Sequence, residues 1–86
     1  MLHNVMEDFV EEWLEKIISQ YDCCKCEKCI TDMKAMSLNK LKPHYVVARS
    51  AYSKVQYLNV SIQNEILMAV VTSVDFIKDH PRHESA

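Results

Sequence analysis

Glycine is absent from this chain of 86 residues. Its absence removes every Gly-rich phosphate loop and the dinucleotide fingerprint, and the nucleotide-hydrolysing and Rossmann readings go with them. Proline occurs only twice, and a chain poor in both breakers suits helices joined by few, tight connections better than a hairpin-rich sheet. Long apolar runs are missing too. The longest, Ile66 to Val71, is six residues against the roughly 20 that cross a bilayer, so no membrane span is expected. The first ten residues carry Glu7 and Asp8 without a basic start or a long apolar stretch. No secretory signal is expected there, and a cytoplasmic address follows as the default. The sequence also holds no paired carboxylates on an apolar face and no His beside a plausible nucleophile in a recognised pattern. Catalysis is not expected.

What is present fits one small domain over residues 1–86. At 10.0 kDa, with 49% apolar and 26% charged residues, the composition is globular, and a chain this short buries only about 60% of its unfolded surface. The net charge of -2 hides an uneven distribution. Residues 1–24 carry six acids and one Lys; residues 25–54 carry seven bases and two acids. The middle third is therefore a cationic island.

Three helical regions emerge from the periodicity, so the expected fold is all-α. From Val5 to Tyr21 apolar residues fall in pairs at every turn with acids between them, which describes a helix with a wide apolar face. Asn4 and Glu7 have capping-box spacing at its start. Part of so wide a face can serve its own core or a second subunit. A second helix is expected over Ile30–Leu41, with Met33, Met36, Leu38 and Leu41 inward and Pro43 as the stop. Tyr45, Val46 and Val47 are β-formers without a visible partner strand and read as an extended connector. Apolar steps of three or four then run from Val55 to Ile77, predicting one long helix or two collinear ones that break near Asn59 to Ser61. Ser53 and Gln56 have capping-box spacing at the start. A helix of about 25 residues is roughly 37 Å long, more than so small a monomer covers, which argues for a homodimer.

All four cysteines, Cys23, Cys24, Cys26 and Cys29, lie within seven residues. Disulfides among them would close loops too short to constrain the unfolded chain. A redox reading of Cys26-x-x-Cys29 requires a thioredoxin-like βαβ setting, and these surroundings read helical. Zinc prefers four thiolate or imidazole ligands, and C-x-C-x-x-C between two helices supplies three from one bend. A structural zinc ion is expected on that ground, with Lys25 and Lys28 available to offset the thiolate charge. The fourth ligand stays open among Cys23, His83, His80, His44 and His3. In a domain this small, a metal joining the first two helices substitutes for missing core.

The run from Cys24 to Val47, with C-x-C-x-x-C, then Asp32, then Ala35, Leu38, Asn39, Leu41, Pro43, Tyr45 and Val46, resembles the late competence development protein ComFB family. Ala51-Tyr52-Ser53-Lys54, Gln63 and Pro81-Arg82-His83 extend the resemblance to nearly the whole chain. It implies a small, helical, zinc-binding, homodimeric cytoplasmic protein without catalytic activity. It also implies Cys24, Cys26 and Cys29 as zinc ligands, with His83 as the fourth; Cys23, which is not a family cysteine, keeps the alternative open. Lys42 stands where the family often has a second Pro, and Arg49-Ser50 replaces a stretch that often carries Gly.

The resemblance further suggests binding of cyclic dinucleotides, cyclic di-GMP or cyclic di-AMP. The cationic island gives this a physical motive, because two phosphates need Lys or Arg partners and an aromatic platform. Lys40, Lys42, Tyr45, Arg49 and Tyr52 are the candidates. The alternatives are a structural adaptor that binds a protein partner and no small molecule, and a nucleic-acid-binding competence factor. The overall negative charge and acidic first helix speak against the latter.

Overall fold

The computed structural model describes residues 2–47 and 56–80. It is mostly helical. Strand β1 (His3–Asn4) leads into helix α1 (Val5–Ile18); helix α2 (Glu27–Asn39), strand β2 (Tyr45–Val46) and helix α3 (Val60–Asp79) follow. The two short strands pair antiparallel, with His3 opposite Val46 and Asn4 opposite Tyr45. The expected connector at Tyr45 thus does have a partner. That partner comes from the first residues of the sequence, and strands of two residues leave no periodicity to read.

Asn4 caps α1, but through the Met6 amide at 3.1 Å rather than through Glu7 as a capping box would. The same Oδ1 accepts the His44 amide at 3.0 Å, and the Val5 amide donates to the His44 carbonyl at 2.8 Å. One side chain therefore starts α1 and docks the connector that follows α2. At the far end, α1 closes before the expected Tyr21. Ser19 is its C-cap, and the Gln20 and Tyr21 amides bond back to Ile17 and Ile18 as single turns.

Val5, Met6, Phe9, Val10 and Leu14 bury the apolar stripe of α1 within the chain's own core. They meet Cys29 and Met33 of α2, Leu41, and Ile66, Ala69, Val70, Val74 and Ile77 of α3. Phe9 is 2% exposed, and a side chain buried to that degree contributes about 1.5–3 kcal/mol. Trp13, Ile17 and Ile18 pack half-buried at the edge. On α2 the inward set is Cys29, Met33 and Ser37, with Met36 and Leu38 half-buried. The Ser37 hydroxyl is accommodated there by donating to the Met33 carbonyl at 2.7 Å.

Helix α3 begins at Val60, where Asn59 Oδ1 accepts the Ile62 amide at 2.9 Å. That falls inside the expected break, and residues 56 and 57 before it form a turn. The start expected at Val55 and the cap at Ser53 lie outside the described residues. At 20 residues the helix is about 30 Å long, so it has less surplus length than the periodicity implied. Its most apolar window of 18 residues has a mean hydropathy of 1.4. By length and composition alone it could cross a bilayer, although no single apolar run in it would suggest so. Within this fold it is the core helix, burying Ile66, Ala69, Val70, Ser73, Val74 and Ile77 against α1 and α2.

Candidate metal centre

The segment joining α1 to α2 is anchored at both ends. Tyr21, just past α1, is held above the usual phenol range, first by burial and second by the Asp75 carboxylate of α3. The Lys78 ammonium lies 5.7 Å from the centre of the Tyr21 ring. At the other end Cys26 is the N-cap of α2, in extended conformation, with its Sγ accepting the Cys29 amide at 3.4 Å. Its carbonyl takes the Ile30 amide at 3.0 Å. Sulfur thus performs the task usually given to Ser or Asp oxygen. For this reason α2 starts at Glu27 and not at Ile30: the last motif cysteine is inside the helix, and the two before it are in the approach.

The Sγ atoms of Cys24, Cys26 and Cys29 all lie within 4.8 Å of one another. Three sulfurs on a tetrahedral ion with bonds of about 2.3 Å are roughly 3.8 Å apart, so the widest pair has to close by no more than about 1 Å for all three to meet one ion. Cys24 and Cys26 are exposed and Cys29 is buried. Their chemistry differs accordingly. The Cys26 thiol is held below the usual range, first by the Cys29 amide and then by the Cys24 side chain. The positive end of α2 favours a thiolate at this place. The Cys29 thiol is pushed up to about 12, chiefly by burial and then by Cys24 and Cys26. A buried sulfur of that kind surrenders its proton when a divalent cation replaces it, since a coordinating thiol is deprotonated outright. Thiolate donors around a shared point suit zinc, and the residues present fit that ion.

The other candidate ligands stand apart. Cys23 is half-buried against the hydrophobic core and is not among the three converging sulfurs. His3 Nε2 lies 3.0 Å from Asp8 Oδ2. The His44 ring packs on Tyr57, with centroids 4.8 Å apart, and the His80 ring stacks on Phe76 at 4.5 Å with its Nδ1 3.0 Å from the Phe76 carbonyl. Among the described residues no fourth donor joins the three thiols. His83 lies outside them.

Of the residues proposed for an anionic ligand, Lys40, Lys42 and Tyr45 are exposed along the stretch that leaves α2. Lys40 is the C-cap of that helix, and Tyr45, on β2, is 62% exposed. The side chains therefore stand in solvent beside one another in sequence. Arg49 and Tyr52 lie outside the described residues. A feature the sequence did not disclose is Asp32 on α2, whose Oδ2 is buried without a hydrogen-bond partner. Its place three residues after Cys29 was visible, but nothing in the spacing shows that a carboxylate there turns inward.

The sequence profile described as Late competence development protein ComFB matches residues 3–81. The competence protein ComFB of Bacillus subtilis (strain 168) is 30% identical over 84 residues, covering 94% of this chain and 86% of the relative. A solved structure, described as the structural characterization of the late competence protein ComFB from Bacillus subtilis, superposes with a TM-score of 0.79. The identity is again 30%, and 94% of each chain is covered.

Proposed function

This chain belongs to the late competence development protein ComFB family, and from that premise we propose that it is a non-catalytic regulatory protein of the cytoplasm, held together by structural zinc. The reading is carried by one observation: three thiols from a single bend, within 4.8 Å of one another, at the start of the helix that packs on both others. Cys24, Cys26 and Cys29 hold the ion, His83 completes its shell, and the ion ties the α1–α2 connection to the first turn of α2. A bound zinc with four protein ligands has no open position, so it supplies stability and not chemistry.

The protein works as a homodimer. In support, α3 carries an uncharged outer stripe at intervals of four, Val60, Asn64, Met68, Thr72 and Phe76, in which Val60 is 76%, Met68 61% and Phe76 46% exposed. The ligand of the dimer is an anionic second messenger of the cyclic dinucleotide class, held by Lys40, Lys42, Tyr45, Arg49 and Tyr52. Its support is the family resemblance together with solvated cations and an exposed aromatic ring in one stretch.

Calorimetric titration of the zinc-loaded protein with cyclic di-GMP and cyclic di-AMP tests this directly. Saturable heat that disappears in Arg49→Ala and weakens in Lys40→Ala is the expected result. No heat with either nucleotide would dismiss the messenger. The exposed α3 stripe would then favour the second reading, a structural adaptor docking a protein partner. Light scattering is expected to give a 20 kDa particle, twice the 10.0 kDa chain, and Met68→Asp is expected to return it to the monomer.

A further inference from the structure

Cys26 and Cys29 stand at the start of α2 as its N-cap and its third helical residue. Cys26 is exposed and Cys29 is buried, yet their Sγ atoms, with that of Cys24, lie within 4.8 Å of one another. A disulfide joins residues whose Cβ atoms are about 3.5–4.5 Å apart, and residues three apart on a helix already bring theirs to about 5–6 Å. Bridging the pair therefore asks only for side-chain rotation and a small adjustment of the cap.

The difference in burial divides the chemistry between the two sulfurs. An outside reagent meets Cys26, which lies at the positive end of α2 with its Sγ accepting the Cys29 amide at 3.4 Å. A Cys-x-x-Cys pair reacts from such a position. Lys25 and Lys28 flank it against the single acid Glu27. Cys29, 1% exposed, is closed to that reagent and open only to its sulfur neighbours. A bridge over two intervening residues constrains the unfolded chain very little, so it suits exchange better than permanent stapling. The helical surroundings that weigh against redox chemistry in the sequence thus supply its local requirement, a helix start under an exposed cysteine.

We propose that Cys26 and Cys29 form a thiol–disulfide exchange site whose substrate is a small disulfide. The Cys26 sulfur attacks one sulfur of the substrate, the substrate S–S bond breaks, and half of it leaves as a thiol. Cys29 then attacks the Cys26 sulfur, forming the Cys26–Cys29 bond and expelling the second half. Both protein protons end on the leaving sulfurs. The two cysteines lose two electrons in all, and one disulfide becomes two thiols. This activity goes beyond the zinc reading and does not depend on it, but a bridged pair has no thiolates left for an ion, so bridging and metal binding exclude each other.

The test treats the full chain, zinc-loaded and metal-free, with millimolar oxidised glutathione, blocks the remaining thiols and digests with trypsin. Lys16, Lys25, Lys28 and Lys34 place Cys23 and Cys24 on peptide 17–25, Cys26 on peptide 26–28 and Cys29 on peptide 29–34, so mass spectrometry reads the pairing directly. A link between peptides 26–28 and 29–34 is expected in both samples, with zinc appearing on a chromogenic chelator as the link forms in the loaded one. Cys24→Ser should leave the link in place. Cys29→Ala should lose it and retain glutathione on Cys26. Four thiols still free, a main product that includes peptide 17–25, or a bridge between two chains overturns the proposal. The wild-type map decides even where Cys29→Ala fails to fold. A link in a chain that never holds zinc would remove the zinc reading and keep the exchange site; bound zinc with no link in either sample would do the reverse.

Discussion

The Trp13 indole N–H donates to Gln63 Oε1 at 2.9 Å, joining side chains 50 residues apart. The Gln63 amide group in turn donates to the Tyr57 carbonyl at 2.9 Å, so one glutamine ties α1 to the segment that leads into α3. Gln63→Leu leaves the half-buried indole N–H unmet. About 1 kcal/mol of stability is expected to be lost, which for a domain of this size lowers the melting temperature by roughly 4–8 °C. Trp13→Phe should cost a similar amount. In the double variant the two losses are expected to fall short of their sum by about 0.5 kcal/mol or more; additive losses would show that the bond carries no energy.

Metal content is the measurement on which the functional reading depends most. Emission spectrometry is expected to find about one zinc per chain, and a strong chelator should lower the melting temperature. Serine at Cys24, Cys26 or Cys29 should release the ion. Cys23→Ala should keep it, because that side chain packs on the core and not beside the other sulfurs. Retention by Cys23→Ala together with loss in His83→Ala would identify the fourth ligand. The opposite pattern would transfer that role to Cys23.

Alkaline pH distinguishes the metal-free from the loaded chain. In the metal-free state the Cys29 thiol is raised from 9.0 to about 12 by burial, so its neutral form is the one the fold prefers. Its contribution is complete below pH 9 and is lost as the pH rises through 12. Tyr21, raised from its ordinary 10.0 by burial and by Asp75, acts with the same sign. Cys26, lowered by the Cys29 amide, acts in reverse: its contribution is present above 9.0 and is lost as the pH falls through its lower folded value. Thermal melts of the metal-free chain should therefore weaken from pH 9 upward, and Cys29→Val should flatten part of that fall. Saturating zinc should remove the Cys29 share, since the bound sulfur is already a thiolate. Identical profiles with and without zinc would argue against coordination by Cys29.

Two buried serines offer a controlled comparison. Ser37 and Ser73 are each 0% exposed, but only Ser37 has a partner, the Met33 carbonyl; the Ser73 hydroxyl has none. Ser73→Ala removes an unmet polar group and is expected to raise stability by about 1 kcal/mol. Ser37→Ala gains the same helix propensity but loses a bond, and should be neutral or destabilising. Equal effects in the two melts would mean that propensity alone decides.

Much of the helical fold was legible because α1 and α3 repeat their apolar residues at helical spacing, and all five buried α1 positions fall on that stripe. The cysteine cluster was legible because ligands from one bend must be close in sequence. What escaped were features that pair distant residues or depend on a single atom. The β1–β2 ribbon joins His3 to Val46 and has no period. The early start of α2 depends on a sulfur acting as a cap, which cap preferences drawn from oxygen do not anticipate. Asp32 enters the sequence only as a position of the family motif, and its spacing does not show that one oxygen turns inward.

Asn4 fixes a spacing as well as a helix start. With Leu41 sunk in the core and the His44 amide bound to Asn4, Lys42 and Pro43 span an interval whose two ends cannot drift apart. Such a bridge has no slack to absorb an inserted residue: a longer chain at this point would have to abandon either the Asn4 contact or the ribbon beside it. Lys42 is therefore displayed at a set height above the helices, a constraint on its placement that its own side chain does nothing to enforce.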